Sequence, residues 1–276
     1  MRLLVDGDII VFRAGFACEK TAYFITHDGI SHRFQYKKEL DKFRQENNIA
    51  QDAPYETDVE LEPVGNALHT VKLMLESVKD SLQSDDLHVF LSGPTNFRYN
   101  IATIKPYKGN RDAAHRPTHE QAIKDFLVRE YGATYSVDEE CDDVLGYTQY
   151  GSWINEQDSC IVSLDKDLRM IPGYHFNFVK ETYHYIDIDE ANRIFWQQLV
   201  TGDPTDNILG IKGAGPKAAQ RLVSDSMSVE EYQQNVANAY KDTYGPTWRD
   251  AMLENGRLLW IRRHRDEWWN IPERIS

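Results

Sequence analysis

Two short apolar runs that each lead into acids constrain the fold of this chain more than any other feature. Arg2-Leu3-Leu4-Val5 runs straight into Asp6-Gly7-Asp8, and Ser159-Cys160-Ile161-Val162-Ser163 runs into Leu164-Asp165-Lys166-Asp167-Leu168. Apolar runs this short, without alternation, read as strands buried on both faces. Leu87-His88-Val89-Phe90-Leu91, ending at Ser92-Gly93-Pro94, reads as another strand, and His175–Val179 as a fourth. Helical spacing separates them: Val64, Leu68, Val71, Leu75 and Val78 form one apolar stripe. Strands alternating with helices predict an α/β fold, with a mainly parallel central sheet flanked by helices. Parallel strands end on one edge, where α/β sheets place their ligands. Asp6 is therefore well placed for chemistry, although Asp6-Gly7 alone reads equally well as an ordinary turn.

The stretch 138–143 holds five carboxylates in six residues, and an apolar pattern follows directly. A helix starting here places Glu140 and Asp143 on one face and Asp142 in the opening turn. Bare carboxylates this close raise one another's pKa, a conflict that a hard divalent cation with oxygen ligands removes. An acidic first turn opposite the helix dipole is the plainer reading of the stretch by itself. Acids recur at Asp6, at Glu140, Asp142 and Asp143, at Asp165 and Asp167, and at Asp203 and Asp206. Gathered into one pocket, these eight exceed the needs of one Mg²⁺ and fit two ions clamping a phosphodiester.

Asp203 and Asp206 lead into Ile208-Leu209-Gly210-Ile211-Lys212-Gly213-Ala214-Gly215-Pro216-Lys217. A Gly-rich turn entering a helix offers backbone N–H groups to a phosphate, with Lys212 and Lys217 adding charge; a flexible turn is the alternative. The formal charge of −13 argues against a polyanionic partner. Its distribution argues otherwise, because residues 98–116 carry Arg98, Lys105, Lys108, Arg111 and Arg116 against Asp112 alone. Three unpaired-looking cysteines, no membrane-length apolar run and no signal-peptide layout lead us to expect a soluble cytoplasmic protein, in host cytoplasm if viral. His27-Asp28-Gly29 marks a hairpin, and residues 37–62 read as a solvated helix and loop. Thr118 and Gln121 could cap a helix running to about Tyr131. Beyond Asp187 the chain reads as helical, and the tryptophans at 248, 260, 268 and 269 favour helix packing over base stacking.

Five motifs together carry a family resemblance: VDGD (5–8), YKGNR (107–111), ECDDVLG (140–146), SLDKDL (163–168) and GDPTDNILGIKGAGPKAA (202–219). In this order the sequence resembles the 5′→3′ exonuclease and flap endonuclease family, and is most similar to exonucleases of short-tailed phages. The resemblance implies a PIN-like nuclease core over 1–186, with a helical arch at about 96–131. It implies a helical DNA-binding region over 187–276, with a helix–three-turn–helix element at about 203–223. It implies metal ligation by Asp6, Glu140, Asp142, Asp143, Asp165, Asp167, Asp203 and Asp206. Lys108 and Arg111 would contact the scissile phosphate, and Tyr107 would stack on a terminal base. Arg98 would join them in holding DNA, with Gly210, Lys212, Gly213, Gly215 and Lys217 gripping duplex phosphates. The cofactors implied are two Mg²⁺, replaceable by Mn²⁺, and K⁺ at the helix–three-turn–helix.

In one place the sequence departs from the family. A metal-binding Asp usually stands near the position of Ser92, and no acid occurs between Asp86 and Asp112. Water or Asp8 would have to take its place. The expected activity is Mg²⁺-dependent hydrolysis of duplex DNA from 5′ ends, with removal of flaps and RNA primers in phage replication. The expected partner is DNA with 5′ ends, flaps or RNA primers, and no membrane. Two rivals stand beside it: a PIN-type ribonuclease, and a DNA-structure binding protein without catalysis.

Overall fold

The computed structural model describes residues 1–110 and 116–275. Among these, residues 1–9, 76–110 and 127–275 form one compact unit, and residues 10–75 and 116–126 form another.

The chain opens with β1 (Arg2–Asp6), whose apolar run is buried, and turns at once into α1 (Gly7–Ala17). The smaller unit then holds β2 (Glu19–His27), β3 (Ile30–Phe34), α2 (Lys37–Glu46) and β4 (Glu56–Leu61). The strands form an antiparallel sheet in the order β3-β2-β4, with the β2–β3 hairpin at His27-Asp28-Gly29 as expected. β4 stands where a loop was expected. Its residues are exposed and acidic, so no burial pattern marks it, and backbone pairing with β2 defines it.

α3 (Val64–Leu82) follows, then β5 (Leu87–Leu91), the single turn α4 (Arg98–Ile101), α5 (Glu120–Tyr131) and β6 (Thr134–Tyr135). α6 (Cys141–Ile154), β7 (Ser159–Val162), β8 (Gly173–Asn177) and β9 (Thr182–Ile186) complete the main sheet. Its order is β6-β5-β1-β7-β8-β9, and every pairing is parallel except β8 with β9. The fourth strand begins at Gly173 rather than His175. The antiparallel β9 was not foreseen, and its Tyr183 and Tyr185 pack on Tyr174 with ring centroids 5.2 and 4.9 Å away.

The register places Asp6 beside Phe90 of β5, and Val5 beside Val162 of β7. The ends of β5, β1 and β7 are thus level, as parallel alignment demands. α6 lies on this part of the sheet through Cys141 and Leu145, which pack with Leu4, Ile161 and Leu168. The remaining helices are α7 (Ile188–Thr201), α8 (Pro216–Leu222), α9 (Val229–Tyr244) and α10 (Trp248–Leu259). They share a core in which Phe195 and Trp196 meet Tyr232, Trp260 and Trp269. Those two C-terminal tryptophans therefore pack, as expected, while Trp268 stays exposed. No helix among the described residues is long and apolar enough to cross a membrane.

Candidate active site

The level strand ends make the site. Asp6 closes β1 and is buried; its Oδ2 accepts from Ser163 Oγ at 2.8 Å and its Oδ1 from the Ile9 N–H at 3.2 Å. Ser163 also accepts from the Asp165 N–H at 3.0 Å, and Asp165 Oδ1 accepts from the Asp167 N–H at 2.8 Å. One serine hydroxyl thus ties the Asp6 carboxylate at the end of β1 to the backbone of Asp165 just beyond β7. The sequence reading missed Ser163, whose signal was its place between a buried strand and the acids.

α6 starts one residue later than a shared helix face for Glu140 and Asp143 requires. Glu140 is its extended N-cap, with φ −85° and ψ 160°, and its N–H donates to Asp143 Oδ2 at 3.2 Å. Asp143 turns away from the pocket. Arg98 Nη1 and Nη2 donate to its Oδ2 and Oδ1 at 2.5 and 2.9 Å, and the Arg262 N–H donates to Oδ1 at 3.2 Å. Arg98 is 2% exposed, and it also donates to the carbonyls of Leu258 and Trp260 at 2.9 and 2.8 Å. The structure places Arg98 in the interior, joining the C-terminal segment to the start of α6.

The YKGN segment docks on the loop that follows α7. The Lys108 N–H donates to Asp206 O at 2.9 Å, Asn207 Nδ2 to Pro106 O at 2.9 Å, and Asn110 Nδ2 to Pro204 O at 2.6 Å. That loop folds back on itself through reciprocal Asp203–Ile208 backbone bonds of 2.9 and 2.8 Å. The fold-back needs glycine twice: Gly202 and Gly210 have φ of +67° and +59°, and a Cβ on Gly210 would meet Gly202 N at 2.2 Å. Gly210 is therefore buried and architectural. Tyr107 is 4% exposed, and its hydroxyl donates to Asp206 Oδ2 at 2.7 Å and Glu140 Oε2 at 3.0 Å. Its ring is not presented to a base. Lys108 Nζ bonds Glu140 and lies 3.8 Å from Asp206 Oδ2.

Electrostatics divides the acids into two groups joined at Asp165. Burial, then Asp8, pushes Asp6 up to about 7, with Asp165 contributing. Burial raises Asp142 well above the carboxylate range, reinforced by Asp6, Asp165, Glu140 and Asp143. On the other side burial also raises Asp165, with Asp203 and Asp206 adding to it. Burial and then Asp165 push Asp167 up to about 6. Asp142 finds no hydrogen-bond donor or cation among the described residues. Ranging from buried Asp6 to exposed Asp165, and with carboxylates outnumbering Lys108 beside them, this oxygen donor set fits hard divalent cations. Among the described residues, Asp6, Asp8 and Cys141 also place one ligand atom each within 4.8 Å of the others.

Lys212, Gly213, Gly215 and Lys217 are exposed on the turn into α8. Arg111, and the part of the expected arch at 111–115, lie outside the described residues.

No protein-family model matches the chain. It is 31% identical over 182 residues to a flap endonuclease Xni of Pseudoalteromonas translucida, covering 59% of this chain and 66% of the relative. It is 26% identical over 184 residues to DNA polymerase I of Bacillus subtilis, covering 59% of this chain and 20% of that protein. Over these stretches the chain is a homologue of flap endonuclease Xni and of DNA polymerase I. It spans somewhat less than two thirds of the Xni relative and a fifth of the polymerase. Solved structures show the same fold. A bacteriophage T5 protein co-crystallised with metal ions superposes with a TM-score of 0.55 at 16% identity, covering 93% of this chain and 88% of that one. A T5 flap endonuclease pseudo-enzyme-product complex with DNA and metal ions gives 0.54 at 15% identity, over the same shares.

Proposed function

We propose that this chain is a divalent-metal-dependent 5′ nuclease that hydrolyses duplex DNA from or near a 5′ end and releases flaps. The observation that carries this reading is the pair of carboxylate groups sharing Asp165, with Asp6 and Asp142 on one side and Asp203 and Asp206 on the other. Two groups so joined suit two ions bound side by side, with Mg²⁺ as the metal and Mn²⁺ as its substitute. When bound, such ions lower the pKa of water and offset charge on the phosphoryl oxygens.

The chain's own residues do the rest. Ser163 fixes Asp6 and Asp165, while Asp206 and Glu140 hold the Tyr107 hydroxyl, whose phenol burial keeps protonated. Lys108, and with it Arg111, supplies positive charge to the phosphate being cleaved. Asp143 acts by orienting Glu140 rather than by ligation, since both its oxygens are occupied. Exposed Lys212 and Lys217 steady the duplex through its phosphates, with K⁺ on the same turn, and read no sequence.

The Xni relative's name, and the DNA complex of the T5 neighbour, support DNA as substrate. The likeness to phage exonucleases supports primer removal during phage replication. The test is a duplex with a 5′ single-stranded flap, labelled at its 5′ end and incubated with Mg²⁺ or with EDTA. Short labelled products with Mg²⁺ alone support the reading. An intact label in both arms overturns it in favour of a binding protein, and cleavage of RNA but not DNA in favour of a ribonuclease.

A further inference from the structure

The edge of the sheet is chemically uneven. β1 ends on Asp6 and β7 leads through Ser163 to Asp165, but β5, on the other side of β1, ends at Leu91-Ser92-Gly93 without an acid. Ser92 does not fill the gap, because its Oγ already accepts the Cys141 N–H at 3.0 Å. Its own N–H donates to Asp8 Oδ2 at 3.0 Å. Asp8 thus brings a carboxylate to the end of β5 from the first turn of the neighbouring helix.

Close packing makes this reach possible. A Cβ on Gly7 would lie 2.5 Å from Phe90 O and 2.9 Å from Leu91 Cδ2, so the β1–α1 turn sits directly against β5. The second oxygen, Asp8 Oδ1, takes no hydrogen bond among the described residues. A carboxylate oxygen of Asp8 lies within 4.8 Å of one on Asp6 and of Cys141 Sγ. Cys141 is buried, and its thiol donates to Phe90 O at 3.3 Å, which leaves the two carboxylates as the hard donors. Asp142, without a hydrogen-bond partner among the described residues, faces the Asp6 carboxylate as well.

We propose that Asp8 is a ligand of the divalent ion held by Asp6 and Asp142, delivering from α1 the carboxylate that β5 lacks. This rests on the metal-dependent reading above. Asparagine at position 8 keeps an acceptor for the Ser92 N–H, so D8N removes the charge and spares the fold. The probe is Mn²⁺ alone, titrated without DNA into wild type, D8N, S92D and D8N/S92D, with bound ion read by electron paramagnetic resonance. Wild type should bind Mn²⁺, D8N should bind one ion roughly tenfold or more weakly, and D8N/S92D should recover much of that loss. Equal binding by wild type and D8N overturns the assignment while leaving the nuclease reading intact. Failure of S92D to restore any binding to D8N overturns the claim that Asp8 serves the β5 position. A wild type that binds no Mn²⁺ overturns the metal reading itself.

Discussion

Asp143 and Arg98 form a buried two-pronged ion pair, with oxygen–nitrogen distances of 2.5 and 2.9 Å. The pair ties α4 to the start of α6 and, through Leu258 and Trp260, to the C-terminal segment. A basic residue in a basic stretch and an acid in an acidic one are thereby spent on architecture.

Removing one partner strands the other charge in the interior. Arg98→Met or Asp143→Leu alone should each cost about 3–5 kcal/mol, and the double variant much less than the sum. Urea denaturation of the three variants measures this. A fully additive double variant would show that the pair is not coupled.

The carboxylate pocket makes the metal-free protein sensitive to pH. Asp6 near 7 and Asp167 near 6 lie above the ordinary Asp value of about 3.9, so between these values the folded state holds more protons than the unfolded chain. Their contribution to stability is therefore full below about pH 4 and is lost as pH rises through 6 and 7. In EDTA the melting temperature should reflect this loss across that window. Added Mn²⁺ should raise it more at pH 7.5 than at pH 5, because ions bind the ionised carboxylates. Thermal melts at the two pH values, with and without Mn²⁺, decide the matter; an equal gain at both would contradict it.

Ser163 should matter more for chemistry than for stability. Ser163→Ala removes the hydroxyl that donates to the Asp6 carboxylate and accepts the Asp165 backbone N–H. Loss of such an orienting contact should lower Mg²⁺ affinity or cleavage by roughly 10–100-fold. Titrating cleavage rate against Mg²⁺ checks this, with circular dichroism to show that the fold is retained.

The exposed lysines of the turn into α8 should act through phosphate charge alone. Each of Lys212→Ala and Lys217→Ala should weaken duplex binding regardless of sequence, and reduce the salt slope by about 0.9. Fluorescence anisotropy in EDTA over a range of salt concentrations reads both effects.

The sheet was legible because its central strands are short, wholly apolar and followed by acids, a pattern that burial on both faces forces on a parallel sheet. β4 and β9 were not, because β4 is exposed along its length and β9 carries aromatics without clean alternation. Within the site, motif order pointed to the acids, while the docking of Lys108 onto the Asp206 loop is a backbone contact that no motif spells out. What motifs could not supply is partner choice. Arg98 and Tyr107 read as surface groups in a basic stretch, yet both are buried against carboxylates. Asp143 differs from Asp142 by one position on α6, and that rotation sends one to an arginine and leaves the other facing the pocket.

Asp165 is the residue on which both carboxylate groups depend, so D165N is the most direct test of a shared two-ion site. The measurement is Mg²⁺-dependent release of a 5′-labelled flap by wild type and D165N, alongside binding of the same duplex in EDTA. The expected result is unchanged binding with cleavage reduced by about 10³-fold or more. Cleavage by D165N at the wild-type rate would contradict the assignment of Asp165, and with it the two-ion site.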